Sequence, residues 1–237
     1  MPKETVIKQE SSLIVELIGL AGAGKTTVSR ALSQRDERIQ VAADLELRKK
    51  EHIPIFVGNA PSLLPVFLRR CPPSRWFTWD EIKAMVYLKG WPKVLKQQAS
   101  NDNAVILLDH GPVFKLAMLQ AFGPERLESG IFETWWNNMF KQWATTLDMV
   151  IWLDAPDTNL VERINFRSQR HIVKGKSEQE AGDFLIRYRT SYKQILAKLE
   201  ANGGPTILQF DTCQLSIEQI VDELLAAFNS RRGENLS

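Results

Sequence analysis

The chain has 237 residues, of which 44% are hydrophobic and 24% charged, proportions typical of a globular protein. Its formal net charge of +2 gives no electrostatic reason to expect nucleic-acid binding. Cys71 and Cys213 are too far apart for a CxxC motif or a disulfide framework, and the three histidines are too scattered to suggest a zinc site. No apolar stretch is long enough to cross a bilayer and the first residues lack a secretory apolar core, so we expect a cytoplasmic protein without a membrane partner.

The first apolar run, residues 13–18, leads directly into Gly-Leu-Ala-Gly-Ala-Gly-Lys-Thr at residues 19–26. The spacing G-x-x-x-x-G-K-[ST] between a strand and a helix is that of a nucleotide-binding phosphate loop. Its glycines let the backbone N–H groups curl around a phosphate, and the following helix adds the positive end of its dipole. We expect Lys25 to reach the outer phosphates and the Thr26 hydroxyl to contact Mg²⁺. The predicted nucleotide-binding residues are Gly19, Ala21, Gly22, Ala23, Gly24, Lys25, Thr26 and Thr27.

Apolar, strand-like runs alternate with helical patterns along the whole chain, which is the signature of a parallel α/β sheet. The predicted strands are residues 13–20, 39–43, 104–109, 149–153 and 206–210. The predicted helices are residues 24–32, 79–98, 114–122, 132–146, 158–167, 178–199 and 216–228. With no repeat and no linker that would divide the chain, we expect a single domain over residues 12–230.

The third and fourth strands end in an acid, Asp109 and Asp154, at the sheet edge where open α/β sheets bind ligands. Asp109 could hold Mg²⁺, directly or through water, opposite Thr26. The alternative is a capping role for the helix that follows Val113, which would not exclude the metal.

Three arginines, Arg163, Arg167 and Arg170, follow the fourth strand at spacings of four and three residues. On a continuous helix this spacing places all three guanidinium groups on one face, where they repel one another unless an anion binds. The cluster therefore predicts a phosphate clamp in a mobile lid over about residues 163–180. A solvated basic face is the alternative.

The order of these features resembles the nucleoside and nucleoside-monophosphate kinases, with thymidylate kinase and the deoxynucleoside kinases the most similar branch. The resemblance rests on the phosphate loop, on Asp109-x-Gly-Pro after the third strand, and on residues 151–156 running into Glu162-Arg163. It implies a three-layer P-loop fold with a five-stranded parallel sheet, an arginine-rich lid, and Mg-ATP as the phosphoryl donor. It also suggests a homodimer.

Two positions bear on which molecule accepts the phosphoryl group. The family usually has an arginine after the acid of the third strand, and here it is His110, a poorer phosphate ligand than a guanidinium. The family's acid after the second strand corresponds to Asp44 or Glu46. We favour Asp44 as a base for an acceptor hydroxyl, while a helix cap or a solvated carboxylate is an equal alternative.

The insertion over about residues 53–100 would contact the acceptor in this family. Its aromatic and arginine side chains could bind a planar, anionic group, or could pack a lid onto the sheet. They are Arg69, Arg70, Arg75, Trp76, Phe77, Trp79, Tyr87 and Trp91.

The sequence favours an ATP-dependent kinase that phosphorylates a nucleoside, a nucleoside monophosphate or a similar small acceptor. The predicted catalytic residues are Lys25, Asp109, Arg163, Arg167, Arg170 and Asp44, and the predicted metal contacts are Thr26 and Asp109. A non-catalytic, nucleotide-dependent regulatory protein is the main alternative. A GTPase-type switch is less favoured because no Asn-Lys-x-Asp sequence occurs.

Overall fold

The computed structural model describes residues 12–42, 50–68, 75–99, 104–124, 132–168 and 171–233. Within these residues the chain alternates between strands and helices, as the sequence predicts. The strands are β1 (Leu13–Ile18), β2 (Ile39–Ala42), β3 (Val105–Asp109), β4 (Met149–Asp154) and β5 (Thr206–Asp211). The helices are α1 (Lys25–Arg35), α2 (Ile53–Leu68), α3 (Trp79–Ala99), α4 (Pro112–Phe122), α5 (Glu133–Ala144), α6 (Asp157–Phe166), α7 (Glu178–Glu200) and α8 (Ile217–Arg232).

The five strands form one all-parallel sheet in the order β2-β3-β1-β4-β5. Strand β1 lies at its centre, where Leu17 is paired with Asp109 on one side and Ile18 with Trp152 on the other. Because the strands are parallel, the carboxyl ends of β1, β3 and β4 meet at one edge. The predicted α/β class and five-stranded parallel sheet are confirmed.

The central strands are apolar on both faces because helices cover both sides of the sheet. All residues of β1 are buried, and Glu16 is the charged residue among them, with no exposed surface. Helix α1 packs on α8, and α4 packs on α7. Trp135 and Trp143 of α5 are buried in the core, where the Trp143 indole N–H donates to the Leu88 carbonyl oxygen at 2.9 Å.

Helix α2 has no counterpart among the predicted elements. Prolines at positions 54, 61 and 65 argue against a helix, and the segment lacks a clear amphipathic period. In the structure α2 nevertheless packs against α3 and buries Leu63 and Phe67, so tertiary contacts outweigh the local propensity.

The ends of the last two helices follow local capping chemistry. Ser216 and Gln219 form a capping box at the start of α8. Ser177 and Glu180 form an equivalent box at the start of α7, which fixes where that helix begins. Within the described residues, no helix combines the length and apolarity needed to span a membrane.

Candidate functional site

The loop between β1 and α1 curls against the end of β4. Gly19 has φ 151°, and a Cβ atom there would lie 2.3 Å from the Leu153 carbonyl oxygen. No other residue fits this close approach, so the glycine lets the loop turn sharply as it leaves the strand. Helix α1 then begins at Lys25, with its first backbone N–H groups directed at the loop.

Lys25 lies in the concave side of this loop. Its ammonium group donates hydrogen bonds to the carbonyl oxygens of Gly19, at 2.7 Å, and Leu20, at 3.2 Å. Burial lowers the pKa of Lys25 to about 8, Asp109 acts in the opposite direction, and Arg167 lowers it further. The cation therefore lies within the electrostatic range of an acid and an arginine that sequence analysis assigned to the same site.

Asp109 ends β3 and lines a cavity together with Lys25 and Thr26. Its Oδ1 atom is buried and lies 3.2 Å from His110 Nδ1, yet no partner among the described residues gives it a well-aligned hydrogen bond. A buried carboxylate oxygen without a well-aligned hydrogen bond is well suited to bind a cation. Together with a threonine hydroxyl in the same cavity, it offers the oxygen ligands that a hard cation such as Mg²⁺ prefers. The residues fit the metal that the resemblance implies.

The capping alternative for Asp109 is wrong. The N-cap of α4 is Gly111, and no side chain of the cap residue bonds to the helix. The first N–H groups of α4 instead donate to the buried carboxylate of Glu16 on β1. Asp109 is thus not engaged by the helix that follows it.

Two cavities flank the phosphate loop. The first has a volume of about 430 Å³ and contains Lys25, Thr26 and Asp109 in its wall. The second, of about 300 Å³, lies on the other side of the loop between α6 and the segment that joins β5 to α8. Its wall consists of Gly22, Gly24, Thr27, Val28, Arg163, Arg167, Thr212, Leu215, Ile217 and Ile220. Arg167 lines both cavities.

Arg163 and Arg167 do not share one helical face. Helix α6 ends at Phe166, and Arg167 follows in an extended conformation, so the i, i+4 geometry with Arg163 is lost. Arg163 donates to the Gly22 carbonyl oxygen at 3.2 Å and to the Thr212 hydroxyl at 2.9 Å. It therefore links the phosphate loop to the end of β5. Arg170 lies outside the described residues.

Aromatic side chains that the sequence reasoning missed line the larger cavity. Phe184, Tyr188 and Tyr192 are four residues apart on one face of α7, and neighbouring ring centroids in this series are 5.5 and 5.6 Å apart. Phe114 of α4 stacks on Tyr188 at 5.9 Å. Their four-residue spacing within a predicted helix was the available signal, but it is also the ordinary pattern of a core face.

The aromatic residues of the insertion differ in exposure. Tyr87 and Trp91 are buried and stack on each other with centroids 5.1 Å apart, while Trp76 and Trp79 are about half exposed. None of these four lines either of the two cavities among the described residues. The packing alternative fits Tyr87 and Trp91, while contact with the acceptor stays a prediction for Trp76 and Trp79. Arg69, Arg70 and Asp44 lie outside the described residues.

A search of solved structures finds nucleoside and nucleotide kinases. A deoxyadenosine kinase from M. mycoides, in a complex with dCMP and dCDP, aligns with a TM-score of 0.52 at 17% sequence identity, covering 92% of this chain and 100% of that kinase. Thymidylate kinase from Candida albicans aligns with a TM-score of 0.55 at 16% identity, covering 95% and 94%. The chain has the fold of these kinases. No family model and no curated protein sequence matches it.

Replacement of Gly19 by alanine should destabilise the protein by more than about 2 kcal/mol, because the new Cβ atom meets backbone and the required φ is strained. Gly182→Ala is the matched control. Gly182 lies within α7 with nothing near its missing Cβ, so alanine should stabilise by about 0.5–1 kcal/mol. Urea unfolding measures both changes. Equal effects of the two substitutions would contradict the described packing of the loop.

Proposed function

We propose that the protein is an ATP-dependent phosphotransferase that moves the γ-phosphoryl group of ATP onto a small-molecule acceptor. One observation supports this most strongly: two cavities of ligand size meet at a phosphate loop, and one arginine lines both. Such an arrangement lets two ligands approach each other with the transferring group between them. The kinase fold agrees with this proposal.

In this proposal the smaller cavity takes the adenosine part of the donor. Leu215, Ile217 and Ile220 offer an apolar surface to a base, and the cavity opens onto Gly22 and Gly24 of the phosphate loop. The triphosphate then follows the loop amides and the start of α1 toward Lys25. The ammonium group, which bonds to two loop carbonyl oxygens, can turn to the outer phosphates by rotation of its flexible stem.

The proposed metal contacts are Thr26 and Asp109. A magnesium ion held by this hydroxyl and carboxylate would neutralise charge on the donor phosphates. Asp109 can serve in this way because its buried Oδ1 has no well-aligned hydrogen bond among the described residues.

The larger cavity is the proposed acceptor site. Phe114, Phe184 and Tyr188 provide flat apolar walls for a planar group, and the polar end of the cavity lies at Asp109 and the phosphate loop. We propose a nucleoside, a nucleoside monophosphate or a similar small molecule as the acceptor. Asp44 stays the proposed base for a hydroxyl acceptor, and a cytoplasmic homodimer stays a prediction.

The two described arginines have different proposed roles. Arg163 supports the loop through its hydrogen bonds with Gly22 and Thr212. Arg167 lies in the walls of both cavities, where a guanidinium group can stabilise charge that develops during transfer. Arg170 is proposed as a further member of the lid on its sequence position alone.

The change Lys25→Ala should lower phosphoryl transfer by on the order of 10²–10³-fold with the fold intact, because the cation nearest the transferring group is removed. An assay with labelled ATP and pools of nucleosides, nucleoside monophosphates, sugars and polar metabolites measures transfer. Lys193→Ala, on the exposed face of α7, is the control. Full turnover by the Lys25 variant contradicts the donor site. Tight ATP binding without transfer to any pool favours a non-catalytic, nucleotide-dependent protein.

The change Arg167→Ala should lower kcat by at least about 10-fold with a smaller change in the Kd for ATP, because its charge acts mainly in the transition state. Arg163→Ala should instead weaken ATP binding and lower the free energy of unfolding, since it frees the loop from Thr212. Steady-state kinetics, titration calorimetry and urea unfolding separate these patterns. An equal loss of kcat and ATP affinity in the Arg167 variant contradicts its proposed role.

A further inference from the structure

Glu16 is a charged side chain in the middle of the apolar central strand. It has no exposed surface, and it lies three residues before Gly19, where the phosphate loop begins. Burial raises the pKa of Glu16 to about 7, while hydrogen bonds from the backbone of Phe114 and Val113 favour its ionised form. A carboxylate placed here costs desolvation energy, which its contacts must offset.

Those contacts belong to the turn between β3 and α4 and to the first turn of α4. The backbone N–H of Val113 donates to Glu16 Oε2 at 2.8 Å, and that of Phe114 donates to Oε1 at 3.0 Å. Gly111 makes room for the carboxylate, since a Cβ atom there would lie 2.8 Å from Glu16 Cδ. The side chain therefore caps α4 from a neighbouring strand, with the helix dipole favouring its charge.

Asp109 directly precedes this turn, and the Oδ1 atom of its side chain has no well-aligned hydrogen bond among the described residues. Sheet pairing with Leu17 places the backbone of Asp109, and the backbone that follows completes the placement of its side chain. His110 adopts φ 58°, a conformation that is uncommon outside glycine, so the surrounding structure must hold it. Lys115 contributes by donating to the His110 carbonyl oxygen, and its ammonium group lies 4.3 Å from the centroid of the Tyr87 ring.

We infer that Glu16 is a positioning residue of the phosphoryl-transfer site, which fixes the Asp109 turn relative to the strand that carries the phosphate loop. The inference rests on the proposed function. Glu16 and Leu108 are already paired in the sheet, but this pairing fixes only the backbone of β3 relative to β1. The carboxylate extends the connection past Asp109 to the first turn of α4. The Glu16 side chain thereby adds to the sheet pairing of Leu17 with Asp109 in fixing the distance between the two proposed metal contacts, Thr26 and Asp109.

The substitution Glu16→Gln tests this because glutamine keeps the shape but cannot accept from both N–H groups with its amide end. Calorimetric titration with ATP is carried out first in EDTA and then with Mg²⁺. The Kd in EDTA should stay within about twofold of wild type, since Lys25 and the loop amides are unchanged. The gain in affinity that Mg²⁺ provides should fall about 10-fold, and kcat should fall about 10–100-fold, as for other groups that orient a metal ligand.

Glu81→Gln is the matched control. Glu81 is also a buried glutamate that accepts from a backbone N–H at a helix start, that of Thr78 at 2.8 Å, but it pairs with Arg75 away from the phosphate loop. Its variant should lose stability and keep the wild-type response to Mg²⁺. Gly111→Ala is a second probe that retains Glu16 and displaces its carboxylate. It should lower the gain in ATP affinity from Mg²⁺ and kcat as Glu16→Gln does. The losses in the double variant should be smaller than the sum of the two single losses in free energy.

Three results contradict the inference while the proposed function stands. The first is a Glu16 variant that keeps both the wild-type gain in ATP affinity from Mg²⁺ and the wild-type kcat. The second is a Glu16 variant that loses ATP affinity equally in EDTA and in Mg²⁺. The third is a Glu81 variant that loses the gain from Mg²⁺ to the same extent as the Glu16 variant. Wild-type protein that binds no ATP contradicts the proposed function, and the inference with it.

Discussion

The site depends on the close contact between Gly19 and the Leu153 carbonyl oxygen. Because nothing larger than glycine fits there, the backbone can turn out of β1 and lead directly into α1. The turn places Lys25 inside the loop and the start of α1 against the edge where β3 delivers Asp109. The parallel sheet provides this edge, and the glycine allows the loop conformation that the proposed phosphate ligand requires.

The charged residues around the phosphate loop make different kinds of contact. Arg163 is committed to the backbone of Gly22 and to Thr212, so its charge serves the shape of the loop. Arg189 is committed to Asp154 and Asp157, which removes Asp154 from the group of candidate ligand contacts. Lys25, Asp109 and Arg167 are the residues that the cavities place toward the proposed ligands. This division favours a transfer site over a uniform basic surface.

Sequence patterns predicted the sheet well, because buried parallel strands are short apolar runs and Asp109 directly follows one. The phosphate loop was equally visible, since its chemistry requires fixed residues at fixed spacing. The aromatic wall of the larger cavity was not predicted, because Phe184, Tyr188 and Tyr192 have the same spacing as an ordinary core face. Glu16 was overlooked for a related reason: its partners are backbone N–H groups almost a hundred residues away, which no local pattern reveals. The prediction that Arg163 and Arg167 share one helical face was wrong because α6 ends before Arg167.

The most direct test of the account is a crystal structure with Mg²⁺ and a non-hydrolysable ATP analogue. We expect the triphosphate in the loop from Gly19 to Thr26, the base against Leu215 in the smaller cavity, and the γ-phosphate facing the larger cavity beside Asp109. A base bound among the aromatic residues of the larger cavity, or a loop without phosphate contacts at saturating analogue, would contradict the account.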